Sequence, residues 1–325
     1  MPFDFVRAQT AIESHIATLQ PGGQPAELYE PIRYLMRLGG KRMRPMAVLL
    51  GYQAFRDDWE QAVPYAVAVE MFHNFTLMHD DIMDNAPLRR GQPTVHEKWN
   101  GNVALLAGDV MLVKTYQLFF DLEEKYLRLV LQKFSKCAAE VCEGQQLDMN
   151  FEALDRVGVE EYLLMIRLKT AVLLGFSLEL GAILAGTDPD QAALLYDFGV
   201  NLGTGFQLKD DLLDVYADQQ KFGKQVGGDI IANKKTFLLI RALELANPAQ
   251  QQRLTYWLGL PTFDKAQKVH AITEIYNELG IREITAQKMN DYFGRGLSAL
   301  ASAHLPPERK AALQQFADEL IHREK

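Results

Sequence analysis

The chain has 325 residues, 48% hydrophobic and 23% charged, a globular composition that excludes a fibrous or intrinsically disordered protein. Its 42 acidic against 34 basic residues leave a net charge of −8, which excludes a general nucleic-acid binder and means that an anionic ligand needs a local basic patch. Cys137 and Cys142 match neither a zinc site nor a disulfide scaffold, and they point to a reducing cytoplasm.

The opening segment MPFDFVRAQTAIESHIATLQ carries Asp4 and Glu13 where a secretory leader would be apolar, so no export signal is expected. Helical periodicity then recurs in ELYEPIRYLMRL, in QAVPYAVAVEMFHNFTLMHDDIMD, in AALLYDFGVNLGTGFQLKDDLLDVY and in KAQKVHAITEIYNELGIREITAQKM. Gly and Pro interrupt it at 21–25, 39–45, 87–93, 186–189, 223–228, 260–261 and 305–307. The most apolar tract, LLMIRLKTAVLLGFSLELGAILAG at 163–186, is broken by Arg167, Lys169 and Glu179, so no run reaches the roughly 18 apolar residues of a membrane span. It reads as a buried helix, and no integral membrane segment is expected. Alternating strands, fixed-period repeats and linkers are absent, which predicts one all-α domain over 1–325.

Two acidic clusters stand out. Asp80, Asp81 and Asp84 end an apolar helical run, and Asp80 and Asp84, four apart, share a helix face. A short charge run is usually a solvated helix end. Acids near a helix C-terminus, however, oppose its dipole and repel each other, so a cation is needed to offset them. Magnesium fits, because it prefers carboxylate oxygens and bridges them to phosphates. Asp210, Asp211 and Asp214 repeat the same offsets in FQLKDDLLD, with Gln207 on the same face as Asp210 and Asp211. Two such helices facing each other would form a metal cage lined by six carboxylates.

Such a cage repels a bare anion, so cations are expected beside it. Arg89 and Arg90 follow the first cluster in a Pro-bounded loop, Lys41 and Arg44 lie in GGKRMRP, and Lys169, Lys224 and Lys234 lie among the remaining motifs. Guanidinium grips phosphate bidentately and lysine acts as a point charge, so together these residues describe a diphosphate site. His73 precedes Asp80 by seven residues, almost two helical turns, and should face the same site, whereas His79 points about 100° away and is expected to pack.

These motifs resemble the trans-isoprenyl diphosphate synthases, the polyprenyl synthetases. Asp80-Asp81-Ile82-Met83-Asp84 with Leu88-Arg89-Arg90-Gly91 resembles the family's first aspartate-rich motif, and Phe206 to Asp214 its second. Gly39 to Pro45 is similar to the early basic motif, Gly144-Gln145-Gln146-Leu147-Asp148 to the central GQxxD and Lys169-Thr170 to the Lys-Thr pair. Gly223-Lys224, Gly228-Asp229 and Lys234-Lys235-Thr236 complete the ordered set, while the last ninety residues carry little signature.

The resemblance implies an isoprenoid synthase-type helical bundle around a central cavity, usually a homodimer, that joins isopentenyl diphosphate head to tail onto an allylic diphosphate. It implies three magnesium ions held by Asp80, Asp84 and Asp210 with support from Asp81, Asp211 and Asp214. Arg89, Lys169, Lys224 and Lys234 would contact the allylic diphosphate, and Lys41, Arg44, His73 and Arg90 the isopentenyl diphosphate. Thr170 and Gln207 would steady the carbocation. A large aromatic residue five positions before the first aspartate, here Phe75 with Thr76 next to it and Phe72 below, implies a short product, C20 or C15. An aromatic stripe of this kind is otherwise ordinary core.

Ala86-Pro87 departs from the acids many relatives place before the arginines, without loss of a metal ligand. Lys209 reads as a solvated side chain, and the basic IHREK terminus as a tail able to close over a diphosphate or to fray. Two other readings compete. A class I terpene cyclase ionises the same substrate but has little need for a second diphosphate site. A non-catalytic subunit of a synthase usually loses aspartates from one cluster, and both clusters are intact here.

Overall fold

The structure is a computed structural model and describes residues 3–217 and 227–322. Its regular structure among the described residues is helical except for two-residue strands at Leu88–Arg89 and Gln92–Pro93, which form an antiparallel hairpin. The all-α expectation therefore holds. No helix is long and apolar enough to cross a membrane among the described residues. The chain divides into two compact units. One comprises Met1–Ser135, Phe176–Leu195 and His304–Leu313, and the other Lys136–Gly175, Tyr196–Ala303 and Gln314–Lys325.

In the first unit the Val63–Met83 helix packs along the Gly101–Phe119 and Met43–Gln53 helices. Pro64 starts it where a proline costs no hydrogen bond. Its end is a Schellman motif: Ala86 N–H bonds to the Asp81 carbonyl, Asn85 N–H bonds to the Ile82 carbonyl, and Asn85 takes the left-handed conformation. Phe72 lies at its centre, fully buried, with its ring 5.1 Å from Phe134 and 5.6 Å from Phe75. Close helix crossings depend on glycine. A β-carbon on Gly51 would lie 2.2 Å from the Leu178 carbonyl oxygen, and one on Gly181 would lie 2.0 Å from that of Val48. On the Gly101–Phe119 helix and the residue after it, Leu105, Leu106, Val113 and Phe120 remain exposed.

In the second unit two apolar clusters flank the Pro189–Tyr216 helix. One joins Phe151, Tyr162, Met165, Leu208 and Phe237, and the other Val215, Ile230, Leu239, Ile272 and Tyr276. The tract 163–186, expected as one buried helix, is largely buried but not continuous. A π-helical turn over Arg167–Ala171 separates the Val159–Ile166 and Val172–Leu184 helices. Lys209 also departs from expectation: its ammonium bonds to the Leu320 and Ile321 carbonyls, which satisfies the end of the Pro307–Ile321 helix. Of the basic terminus, residues 323–325 lie outside the described residues.

Replacing Gly181 by Ala forces backbone apart at the crossing with Val48 and should destabilise the protein by about 1–3 kcal/mol, measured by denaturant unfolding. An unchanged midpoint would contradict the close approach.

Candidate active site

The Schellman end sets the first aspartate cluster at the C-terminus of the Val63–Met83 helix. Asp84 is exposed, Asp80 is half-buried and Asp81 is only 2% exposed. Arg89 explains the difference. Its guanidinium grips Asp81 at 2.7 to 2.9 Å through Nε and Nη2, and lies 3.7 Å from Asp80. The hairpin presents this arginine, turning at Arg90 and Gly91 with φ of 53° and 74°, the left-handed pair of a type I′ turn.

The early basic motif packs beside His73. Arg44 Nη1 lies 3.1 Å from His73 Nε2, and since arginine only donates, the imidazole accepts there and carries its proton on Nδ1. Burial, then the Arg44, Arg90, Arg89 and Arg42 charges, push the His73 pKa well below its usual value, so the ring is neutral. Arg90 bonds to the Gly39 carbonyl, and a β-carbon on Gly40 would sit 2.8 Å from its guanidinium. The φ of 134° at Gly40 favours glycine there, and a side chain would also displace the Arg90 guanidinium. Burial, with Arg42 and Arg89, lowers the Arg90 pKa. Arg42 is a framework residue: left-handed at φ 47° and buried, it bonds to Glu70 at 2.5 Å, Glu13 at 2.8 Å and the Met36 carbonyl. Lys41, exposed, precedes it. Gathering arginines around a neutral histidine builds a field that favours an anion. His79 packs as expected, at 3.1 Å from the Leu105 carbonyl and against the Phe75 ring.

In the second unit a cavity of about 520 Å³ is lined by Asp148, Tyr162, Lys169, Thr170, Gln207, Asp211, Asp229 and Lys234 among others. Gly144 lets the Lys169 backbone approach, since a β-carbon there would lie 2.1 Å from its nitrogen. The Lys169 ammonium pairs with Asp148 at 2.6 Å, and Thr170 Oγ1 lies 3.4 Å from Gln207 Oε1. The π turn carries both Lys169 and Thr170, a recurrent device at functional positions.

Asp211 is 5% exposed and accepts a hydrogen bond from the Tyr162 hydroxyl. Burial, reinforced by the Asp229 and Asp210 charges, raises its pKa well above the carboxylate range, against the opposing Tyr162 bond. Asp214 accepts the Asp229 N–H at 3.0 Å. Burial, with Asp214, Asp148 and Asp210, pushes Asp229 up to about 6 despite Lys234.

The six carboxylates expected to form a cage are divided between the two units, three on each. Asp81 and Asp211, taken as supporting metal ligands, are each buried on a protein partner. Among the described residues no three His, Cys, Asp or Glu side chains are gathered to hold a metal ion. Magnesium does not require such a group, because it keeps its waters and binds through one or two carboxylates plus phosphate. Asp229, pushed up to about 6 by burial and then by its acidic neighbours, belongs to a set of hard oxygen donors of the kind that fits magnesium.

Among the expected site residues, Arg44, His73, Arg89 and Arg90 cluster in the first unit with Asp80 and Asp81. Lys169, Thr170, Gln207, Asp211 and Lys234 line the cavity of the second. Lys224 lies outside the described residues. Phe72 and Phe75 are buried and Thr76 bonds to the His73 carbonyl. Sequence reading missed Tyr162, whose signal was its place on the helix entering the Lys-Thr pair, and did not assign Asp148 and Asp229 although both lie in quoted motifs.

The polyprenyl synthetase family model matches residues 25–278. The chain belongs to this family. It is 36% identical over 319 residues to a geranylgeranyl diphosphate synthase of Methanosarcina mazei, covering 96% of this chain and 95% of that protein. A solved geranylgeranyl pyrophosphate synthase superposes with a TM-score of 0.94 at 40% identity, covering 99% and 100% of the two chains. The geranylgeranyl pyrophosphate synthetase of Pyrococcus horikoshii Ot3 gives 0.91 at 35%, covering 98% of each.

Two outcomes follow from these acids. Tyr162→Phe strands Asp211 without its hydroxyl donor and should cost about 1–3 kcal/mol of stability in chemical denaturation. Because Asp229 is raised from 3.8 to about 6, the folded state holds more protons between those values, so stability falls as pH rises through that window and levels above it. In metal-free buffer Asp229→Asn should gain about 2–3 kcal/mol at pH 8 and nothing below pH ~3.5, and a pH-independent difference would contradict the shift.

Proposed function

We propose that this polyprenyl synthetase joins isopentenyl diphosphate head to tail onto an allylic diphosphate and releases a C20 or C15 product. The observation that carries the reading is the cavity in which Lys169, Thr170, Gln207, Asp211 and Lys234 converge from separate sequence motifs. The names of the relatives, geranylgeranyl synthases over nearly the whole chain, support the product class.

Lys169, Lys234 and Arg89, with Lys224, hold the allylic diphosphate, while Lys41, Arg44, His73 and Arg90 hold the isopentenyl diphosphate. Neutral His73 serves through its Nδ1 proton, and Arg44 is fixed by its bond to Nε2. The oxygens of Thr170 and Gln207 turn their negative ends toward the carbon that becomes cationic, a stabilisation worth most in a water-poor site. Asp80, Asp84, Asp210 and Asp214 supply the carboxylates for magnesium, three ions in this reading, and Asp229 adds its oxygen donors. When bound, magnesium lowers the cost of charge building on the departing diphosphate. Both aspartate clusters act in the same reaction, so the whole of 1–325 works as one catalytic domain. The protein works as a cytoplasmic homodimer: Cys137 and Cys142 are unbridged, and the exposed Leu105, Leu106, Val113 and Phe120 offer an apolar face for self-association.

Purified protein given labelled isopentenyl diphosphate, magnesium and a C5, C10 or C15 allylic diphosphate should accumulate C20 or C15 only when magnesium is present. Failure to extend any primer would overturn the reading in favour of a cyclase or a non-catalytic subunit. Phe75→Ala should lengthen the product by one or more isoprene units, resolved by chromatography; an unchanged product spectrum sinks its role as the floor of the chain-length tunnel.

A further inference from the structure

Lys234 belongs to a short segment with little regular structure of its own. Gly228–Ile231 forms one helical turn, Asn233 is left-handed at φ 55°, and Lys234 N–H closes back on the Asp229 carbonyl at 2.9 Å. This turn sets Asp229, Lys234 and Lys235 on the cavity wall. A single turn is far too short to be stable alone, so something outside it must hold it.

The holding group comes from the Lys265–Glu278 helix, in the stretch of sequence without family motifs. Lys268 is fully buried, unusual for lysine, and its ammonium bonds to an amide and a backbone carbonyl rather than to a carboxylate. Its ammonium donates to Asn233 Oδ1 at 2.6 Å and to the Ile231 carbonyl at 3.4 Å, and it lies 4.0 Å from the centre of the Phe263 ring. Asn233 passes the tie on, donating from Nδ2 to the Leu258 carbonyl at 3.0 Å. Beside it Val269 closes on Gly227, where a β-carbon would meet it at 2.6 Å. A buried ammonium is costly unless its hydrogen bonds are made, so Lys268 fixes the acceptors it has found, and these are the backbone and side chain of the Lys234 turn.

We infer that Lys268 is a positioning residue for the allylic diphosphate, acting through Asn233 to hold Lys234 and Asp229 on the cavity wall. This rests on the functional reading above, in which Lys234 meets that diphosphate. It assigns the motif-free C-terminal helices a part in substrate binding, one that the isopentenyl diphosphate site does not share.

The test uses Lys268→Met and Asn233→Gly in the full chain. Glycine keeps the left-handed backbone while removing both side-chain bonds, so it remains informative if Lys268→Met fails to fold. Each variant should raise KM for the allylic diphosphate about tenfold and leave KM for isopentenyl diphosphate within about twofold. The double variant should lose clearly less than the sum of the two single ones, because both cut the Lys268–Asn233 bond although each also removes one bond of its own, to Ile231 or to Leu258. Equal rises in both KM values, an unchanged allylic KM, or additive losses would each overturn the inference. If the wild-type chain makes no prenyl product, the functional reading fails separately. Calorimetric binding of inorganic diphosphate then decides the tie, with a weakening of about tenfold in both variants supporting it and equal affinity overturning it.

Discussion

Each aspartate cluster is organised by burying its second carboxylate on a protein donor. Asp81 is taken by the fork of Arg89 and Asp211 by the Tyr162 hydroxyl. A carboxylate is expensive to bury without such a partner, so the pairing fixes the rotation of the helix that carries it. The first and third carboxylates, four residues apart, share a helix face, and in the first cluster Arg89 reaches Asp80 at 3.7 Å as well. The two clusters reach this arrangement by different chemistry: a bidentate ion pair from a hairpin in one, a neutral hydroxyl at the foot of the Lys-Thr helix in the other.

The same economy of means runs through the basic side of the site. In Gly39 to Pro45 successive residues have separate duties: Gly40 makes room for Arg90, Lys41 faces outward, Arg42 is sunk into Glu70 and Glu13, and Arg44 meets His73. Left-handed Arg42 is what allows neighbours to diverge so sharply. The buried Arg42–Glu70 pair is a costly way to stabilise a fold, and its use lies in fixing the loop against the helix that carries His73.

Much of this was legible in the sequence. Period-3.6 apolar patterning gave the helices, and offsets of four put Asp80 and Asp84, and Asp210 and Asp214, on common helix faces, while the spacing of seven aimed His73 at the Asp80 site and the structure sets its ring against Arg44. What could not be read was decided by which partner the fold delivers to each side chain. Nothing near Asp81 or Asp211 announces that the second position turns inward, because Arg89 arrives on a hairpin and Tyr162 lies 49 residues earlier. The π turn at Arg167–Ala171 leaves no periodic trace, and Lys209 and Lys268 look like ordinary surface lysines until their carbonyl acceptors are seen.

The division of labour within each motif is the central claim, and the magnesium dependence of prenyl transfer tests it most directly. Initial rates are measured across a magnesium titration for Asp81→Asn and Asp211→Asn beside Asp84→Asn and Asp214→Asn. The account predicts that the first pair keeps the wild-type half-saturating magnesium concentration within about threefold, with any loss falling on stability, while the second pair raises it by about tenfold or more. Equal shifts for all four variants would contradict it, and would return Asp81 and Asp211 to the metal.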